Sequence, residues 1–429
     1  INQMLLYVTN RKLTHVPESA PVRNWISEIG IGLNTKKTPA GDAIYFGRTN
    51  SNYSSIEFFP RGMEADLFDK LDAGEYSKPW VVLLHGYHQD VKETIVKARF
   101  LIENQGVNVV LFSWPSRPKP VSSFDVSKLD DYIKDYVKSV LFGFGRPSLQ
   151  AIFVKEVKDL LKDLITNYEP ARKNAELSTT DFHNAMAVIK KYLIKQYKVK
   201  LSLFVHSMGN YLLEKTIEDK GYLPVLFTNI MLHQADVKAS THATWVPRLL
   251  GSASKQIYIS VNVFDYVLAA SNILHRYKLG NRYVERLGQS VRVKPEGVYR
   301  GYIPGTVEYL DFTDGFGVEN KHEIFTCGGV SVDEPWNAGS NDIDMSIFNL
   351  IGKIIRSETS DGLPVRIGKH PNGKGFSRMS TLVNLYKPRW IVEDESLCEE
   401  HESICFLDSF EVFEDPFQPV PTDDPDLDD

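Results

Sequence analysis

The strongest chemical signal in the sequence is a serine. It lies in His206-Ser207-Met208-Gly209-Asn210, directly behind the apolar run 199–205 and directly ahead of the helical pattern Tyr211-Leu212-Leu213-Glu214-Lys215. A sharp turn between a strand and a helix lifts a serine hydroxyl clear of a sheet, and a small residue two positions later lets the helix pack close. Gly209 meets that second need. The usual G-x-S-x-G pattern has Val205 at its first glycine, so a valine must fit beneath the turn. Ser360-Asp361-Gly362 also contains S-x-G, but no strand precedes it, and Ser207 is the candidate nucleophile.

A serine hydroxyl is a poor nucleophile at neutral pH unless a histidine takes its proton and a carboxylate fixes that histidine's tautomer. Asp265, after the apolar run 256–262, and His322, after 306–312, complete the order Ser, Asp, His. Asp236, just past 226–232, competes with Asp265 for the acid's role, and Asp265 is preferred for its place in that order. Blander roles are a helix cap for Asp265, a loop cap for Asp236 and a surface loop position for His322. Two backbone amides must hold the charge that develops on a substrate oxygen. Met208 N–H is one candidate, and Tyr87 N–H in His85-Gly86-Tyr87-His88 is the other, with Gly86 expected to supply an unusual backbone conformation. His85, His88, Trp114 and Asp236 are candidates to line the site. His85-x-x-His88 also reads as half a metal site, but no well-spaced Cys, Glu or third His accompanies it, so neither metal nor cofactor is expected.

These residues need a scaffold. Short β-rich runs recur at 4–9, 43–46, 80–84, 107–112, 199–205, 226–232, 256–262 and 306–312, and from the third onward helical stretches separate most of them. That alternation specifies an α/β protein with a mostly parallel, eight-stranded sheet flanked by helices, the early strands forming an antiparallel edge. Asp90-Val91-Lys92-Glu93 has capping-box spacing and starts the helix after 80–84. A helical insertion at about 118–198 precedes the serine strand. In it Phe153, Val157, Leu160, Leu161, Leu164 and Tyr168 share one helical face, which suits either a core contact or a lid. The last amphipathic helix is expected near 343–355. The domain organisation expected is a catalytic domain over 1–358, a small appendage over 359–410 and an acidic, disordered tail over 411–429.

Composition narrows the function. Of the 429 residues 42% are hydrophobic and 24% charged, which suits a globular chain, and the longest apolar runs are far too short to span a bilayer. The net charge is −6, and the eight acidic residues of 411–429 account for it, leaving the remainder at +2. A nearly neutral body argues against nucleic acid as a partner. Lys190, Lys191, Lys195, Lys198 and Lys200 read as the solvated end of a helix. Three cysteines, Cys327, Cys398 and Cys405, are too few for a disulfide framework, which favours a reducing, cytoplasmic location. Numbering that begins at Ile1 leaves secretion open.

Val8-Thr9-Asn10-Arg11, His85-Gly86-Tyr87, Phe112-Ser113-Trp114-Pro115-Ser116, His206-Ser207-Met208-Gly209-Asn210, Asp236-Val237, Asp265 with Leu268 and Ser271, and His322 together resemble the successive signatures of a largely uncharacterised bacterial α/β-hydrolase family. The likeness runs from about Met4 to Ile355. It implies an α/β-hydrolase fold and a cofactor-free serine hydrolase of the esterase or lipase kind acting on a small-molecule or lipid ester. Ser207 would be its nucleophile, Asp265 its acid and His322 its base. Val205 and Val267 depart from the family pattern, as does the long insertion. Two other functions compete: a catalytically silent binding protein on the same fold, and a lipid-directed enzyme or effector, suggested by the aromatic-rich Val140-Leu141-Phe142-Gly143-Phe144.

Overall fold

A computed structural model describes residues 4–34, 44–71, 73–117, 126–143, 150–278, 285–289, 307–313, 318, 321–326, 345–358 and 377–380. Its strands are β1 (Leu5–Thr9), β2 (Val22–Trp25), β3 (Tyr45–Thr49), β4 (Ser55–Phe59), β5 (Trp80–Leu84), β6 (Asn108–Ser113), β7 (Leu201–His206), β8 (Phe227–His233), β9 (Ala253–Val261), β10 (Val307–Asp311) and β11 (Ser377–Ser380). They form one sheet in the order β11-β10-β9-β8-β7-β5-β6-β1-β3-β4-β2. The run from β10 to β1 is parallel throughout. All eight expected strands are present, and β2, β4 and β11 bring the total to eleven rather than eight. The antiparallel edge consists of β3, β4 and β2, whereas β1 pairs antiparallel with β3 and parallel with β6, joining the two parts of the sheet.

The helices are α1 (Glu64–Asp69), α2 (Ala73–Tyr76), α3 (Val91–Gln105), α4 (Asp130–Gly143), α5 (Gln150–Leu177), α6 (Thr179–Ile189), α7 (Gly209–Lys220), α8 (His242–Trp245), α9 (Tyr266–Lys278) and α10 (Met345–Ile355). A π-helical turn, Lys190–Gln196, extends α6. The capping box at α3 forms as its spacing requires: Glu93 N–H donates to Asp90 at 2.8 Å, and Asp90 N–H donates to Glu93 at 2.7 Å. Gly106, with φ +65°, ends that helix in the left-handed conformation.

Central strands covered on both faces bury every residue. On β5, Trp80, Val82 and Leu84 pack toward α5, α6, α7 and α9, while Val81 and Leu83 pack toward α3 and α10. This explains why the run is continuously apolar rather than alternating. Phe153, Val157, Leu161, Leu164 and Tyr168 of α5 are buried in the first of these cores, and Leu160 is packed against it. The insertion is thus rooted in the body of the fold. The side chains of Val140–Phe144 lie outside the described residues, as do the three cysteines and the tail over 411–429. Of 359–410 only β11 is described, and it pairs antiparallel with β10. Among the described residues no helix is long and apolar enough to cross a membrane.

Chain order sets where a site can form. From β5 the chain steps to β6 on one side, then crosses through the insertion to β7 on the other, and continues outward to β8, β9 and β10. Loops diverge at such a reversal and leave a crevice beyond the strand C-termini. The loops following β5, β7, β8, β9 and β10 carry Gly86, Ser207, Gln234, Asp265 and His322.

Candidate active site

Ser207 is the turn between β7 and α7 and has φ +52°. His88, after β5, and Gln234, after β8, are also non-glycine residues in the left-handed region, at +57° and +42°. Each such residue costs of order 1–3 kcal/mol and persists only where its surroundings hold it. Three of them therefore mark adjacent strand ends as a strained site. Gly209 packs so closely that an added Cβ would sit 2.7 Å from the His85 carbonyl oxygen, so β5 and the start of α7 touch through their backbones. A Cβ on Gly86 would meet the Ser207 Cβ at 2.7 Å. Gly86 is thus needed for close approach. Its φ is not left-handed, contrary to the conformational role expected of it, and His88 takes that conformation instead.

The approach of Gly86 brings the start of the loop after β5 against Ser207. Among the described residues neither Tyr87 N–H nor Met208 N–H donates a hydrogen bond. The Tyr87 ring points into the insertion, where its hydroxyl donates to Asp163 at 2.7 Å. His88 Nε2 lies 3.3 Å from the same carboxylate, which also accepts from Asn167 at 2.6 Å. His85 and Trp114 are buried against each other. The Trp114 amide donates to His85 Nε2 at 3.1 Å, its indole donates to the His85 carbonyl at 3.0 Å, and the rings stack at 5.5 Å. Burial, reinforced by the Arg11 charge, holds His85 well below the usual histidine range, so it serves as a neutral clamp between the β5 and β6 loops.

Asp265 is fully buried at the start of α9 and uses its two oxygens differently. Oδ1 accepts the amides of Val267 and Leu268 at 3.0 Å each, while Oδ2 faces His322 Nδ1 at 2.6 Å. The helix-cap role and the acid role both occur, one on each oxygen. Burial pushes the Asp265 carboxyl up, and His322 with the surrounding donors pulls it back. An ionised carboxylate only accepts, so the proton of this bond sits on His322 Nδ1, with Nε2 on the far side of the ring. Among the described residues neither that Nε2 nor the Ser207 hydroxyl has a hydrogen-bond partner. Such contacts commonly tighten only when substrate is bound. Ser207, Asp265 and His322 therefore follow the ends of β7, β9 and β10, in a strained, buried setting.

A family model described as an alpha/beta hydrolase of unknown function, DUF900, matches residues 63–314, more than half of the chain. The chain belongs to this family. No curated protein and no solved structure gave a match. The DUF900 match contains Tyr87, Ser207, Met208, Asp236 and Asp265 and stops short of His322.

In this DUF900 chain the second acid borders the serine through its backbone, its N–H donating to the Ser207 carbonyl at 3.2 Å, but its carboxylate has other partners. Asp236 accepts from Tyr168 at 2.8 Å and Ser271 at 2.7 Å and pairs with Arg286 at 3.1 Å, all of them buried. Among the described residues its side chain neither bonds His322 nor caps its own loop.

Several residues around His322 have no motif to announce them. Gln234 donates to Asp265 Oδ2 at 2.7 Å and to the Lys321 carbonyl at 2.9 Å, and Asn262 donates to that carbonyl at 3.0 Å. His206 Nε2 donates to the His322 carbonyl at 3.1 Å. Lys97 of α3 pairs with Glu323 on the other side of the histidine. Burial, with His322 close by, holds His206 well below the usual histidine range and takes His233 down to about 3, so both stay neutral beside the site. Among the described residues no group of three or more His, Cys, Asp or Glu side chains is placed to hold a metal ion.

Proposed function

We propose that the chain is a serine hydrolase that cleaves a carboxylic ester of a small molecule or lipid through an acyl-enzyme at Ser207. The observation that carries this reading is the buried His322–Asp265 hydrogen bond of 2.6 Å beside a serine held at φ +52°. In the proposed reaction Ser207 Oγ attacks the ester carbonyl carbon while His322 Nε2 takes its proton. The carbonyl oxygen becomes negative and is held by Tyr87 N–H and Met208 N–H. Collapse breaks the bond to the alkoxy oxygen, which leaves as the alcohol with the proton from His322. Water then attacks the acyl-serine with His322 again as base, and the carboxylic acid departs. Asp265 keeps the proton on Nδ1 and stabilises the imidazolium formed in each half-reaction.

An activated serine forms a covalent adduct with a fluorophosphonate, whereas an inert one does not. Wild-type protein should label and hydrolyse simple esters. Ser207→Ala should do neither, with its thermal midpoint nearly unchanged. Unlabelled wild type, or labelling of Ser207→Ala equal to wild type, would sink the reading.

A further inference from the structure

Gln234 spends its whole side chain on the residues around the histidine. Asp265 Oδ2 accepts from His322 Nδ1 at 2.6 Å and from Gln234 Nε2 at 2.7 Å, so two donors share one oxygen. The same amide nitrogen donates to the carbonyl of Lys321, the residue before His322, at 2.9 Å. Gln234 Oε1 accepts the amide of Ile324, two residues after His322, at 3.3 Å. One carboxamide thus ties the acid to both flanks of the base. No other uncharged side chain of that length supplies two donors and an acceptor in one plane.

The backbone at Gln234 fits such a role. The residue is fully buried, its φ is +42°, and its amide donates to Ser260 Oγ at 3.0 Å. Strain of this kind collects where a side chain must be aimed rather than merely packed. We infer that Gln234 is a positioning residue that holds the carboxylate of Asp265 and the loop of His322 in register, an inference that rests on the hydrolase reading above. Without it, Asp265 keeps its two backbone donors and Lys321 keeps Asn262, so the fold survives, but neither residue is held relative to the other. The Nδ1–H···Oδ2 bond then opens more often, and His322 meets the serine in the right orientation for a smaller share of the time.

The test compares wild type with Gln234→Met, which keeps the length and loses every polar contact, and with Gln234→Leu, which loses the same contacts in a shorter, branched side chain. Proteins carrying ¹⁵N-labelled histidine are followed by NMR, and the exchange of the His322 Nδ1 proton with water is measured without substrate. Exchange should quicken by at least about tenfold in both variants, while kcat falls by roughly 10- to 100-fold and KM stays within about twofold. Should Gln234→Met not fold, Gln234→Leu supplies the same readings. Unchanged exchange and kcat in a folded variant, or a loss confined to KM or to the thermal midpoint, would overturn the inference. The proton readout needs no turnover. Faster exchange in a chain whose wild type does not react with fluorophosphonate would break the hydrolase reading and keep this one, whereas unchanged exchange in a reactive chain would break this one alone.

Discussion

Two buried carboxylates end neighbouring parts of the sheet and have opposite companions. Asp236 faces Arg286, a cation that never loses its proton in the working pH range, with Tyr168 and Ser271 filling its remaining acceptor positions. Asp265 faces the His322 imidazole, with Gln234 and two backbone amides as the other donors. The first arrangement is locked and joins the insertion to the sheet through Tyr168 of α5. What separates the two buried carboxylates is the partner each faces, a guanidinium in one corner and an imidazole in the other.

Exchanging each acid for its amide tests this contrast most severely. Asp265→Asn should lower kcat by about 10⁴, because the amide favours the wrong imidazole tautomer and no longer stabilises its charged form. Asp236→Asn should leave turnover per folded molecule within about tenfold of wild type. If Asp236→Asn were the silent variant and Asp265→Asn active, the two roles would have to be exchanged.

The converse experiment removes the fixed cation. Arg286→Met strands a buried carboxylate at Asp236 and should cost about 3–5 kcal/mol of stability, measured by denaturant unfolding, with little change in the kcat of the folded fraction. A loss of activity exceeding the loss of folded protein would show that the Arg286 corner takes part in the chemistry after all.

Acid should weaken the fold through its buried histidines. His233, with a pKa brought down to about 3, and His206, also held well below the usual value, remain neutral in the fold, but both take up protons once unfolded. The unfolded state therefore binds more protons, and stability falls with decreasing pH. For His233 that contribution is complete above the ordinary histidine value of roughly 6.5 and is lost progressively toward about 3, at about 1.4 kcal/mol per pH unit. His233→Asn should flatten the acid side of the stability curve by about one proton, as read from unfolding between those limits. An unchanged slope would mean that His233 takes up its proton within the native state.

The smallest effect belongs to Tyr168→Phe. Asp236 keeps Arg286 and Ser271, so losing one hydroxyl donor should cost about 1 kcal/mol and leave kcat unaltered.

How much of this was legible in the sequence follows from how local each signal is. β5 to β10 are buried on both faces and announce themselves as apolar runs, and the elbow at Ser207 is written in contiguous residues. By contrast β2 buries only Asn24 of its four residues, and Ser377-Arg378-Met379-Ser380 of β11 has no apolar run at all. Such edge strands are set by the partner they pair with. Asp265 and His322 could be placed because order along the chain and strand ends constrain them. Gln234 could not, since its meaning lies in partners 31 and 87 positions away. Arg286 was equally hidden, since nothing local marks it as the companion of Asp236.

The pairing of β11 with β10 also bears on how the chain can be divided. β10 leads into the loop of His322, and β11 occupies the hydrogen-bonding groups along its outer side. A fragment ending at 358 would leave those groups bare at a sheet margin, the kind of surface on which a second molecule can add its own strand. Such a fragment should tend to self-associate, and its disorder would begin next to the histidine. A cut placed beyond 380 would keep the margin covered.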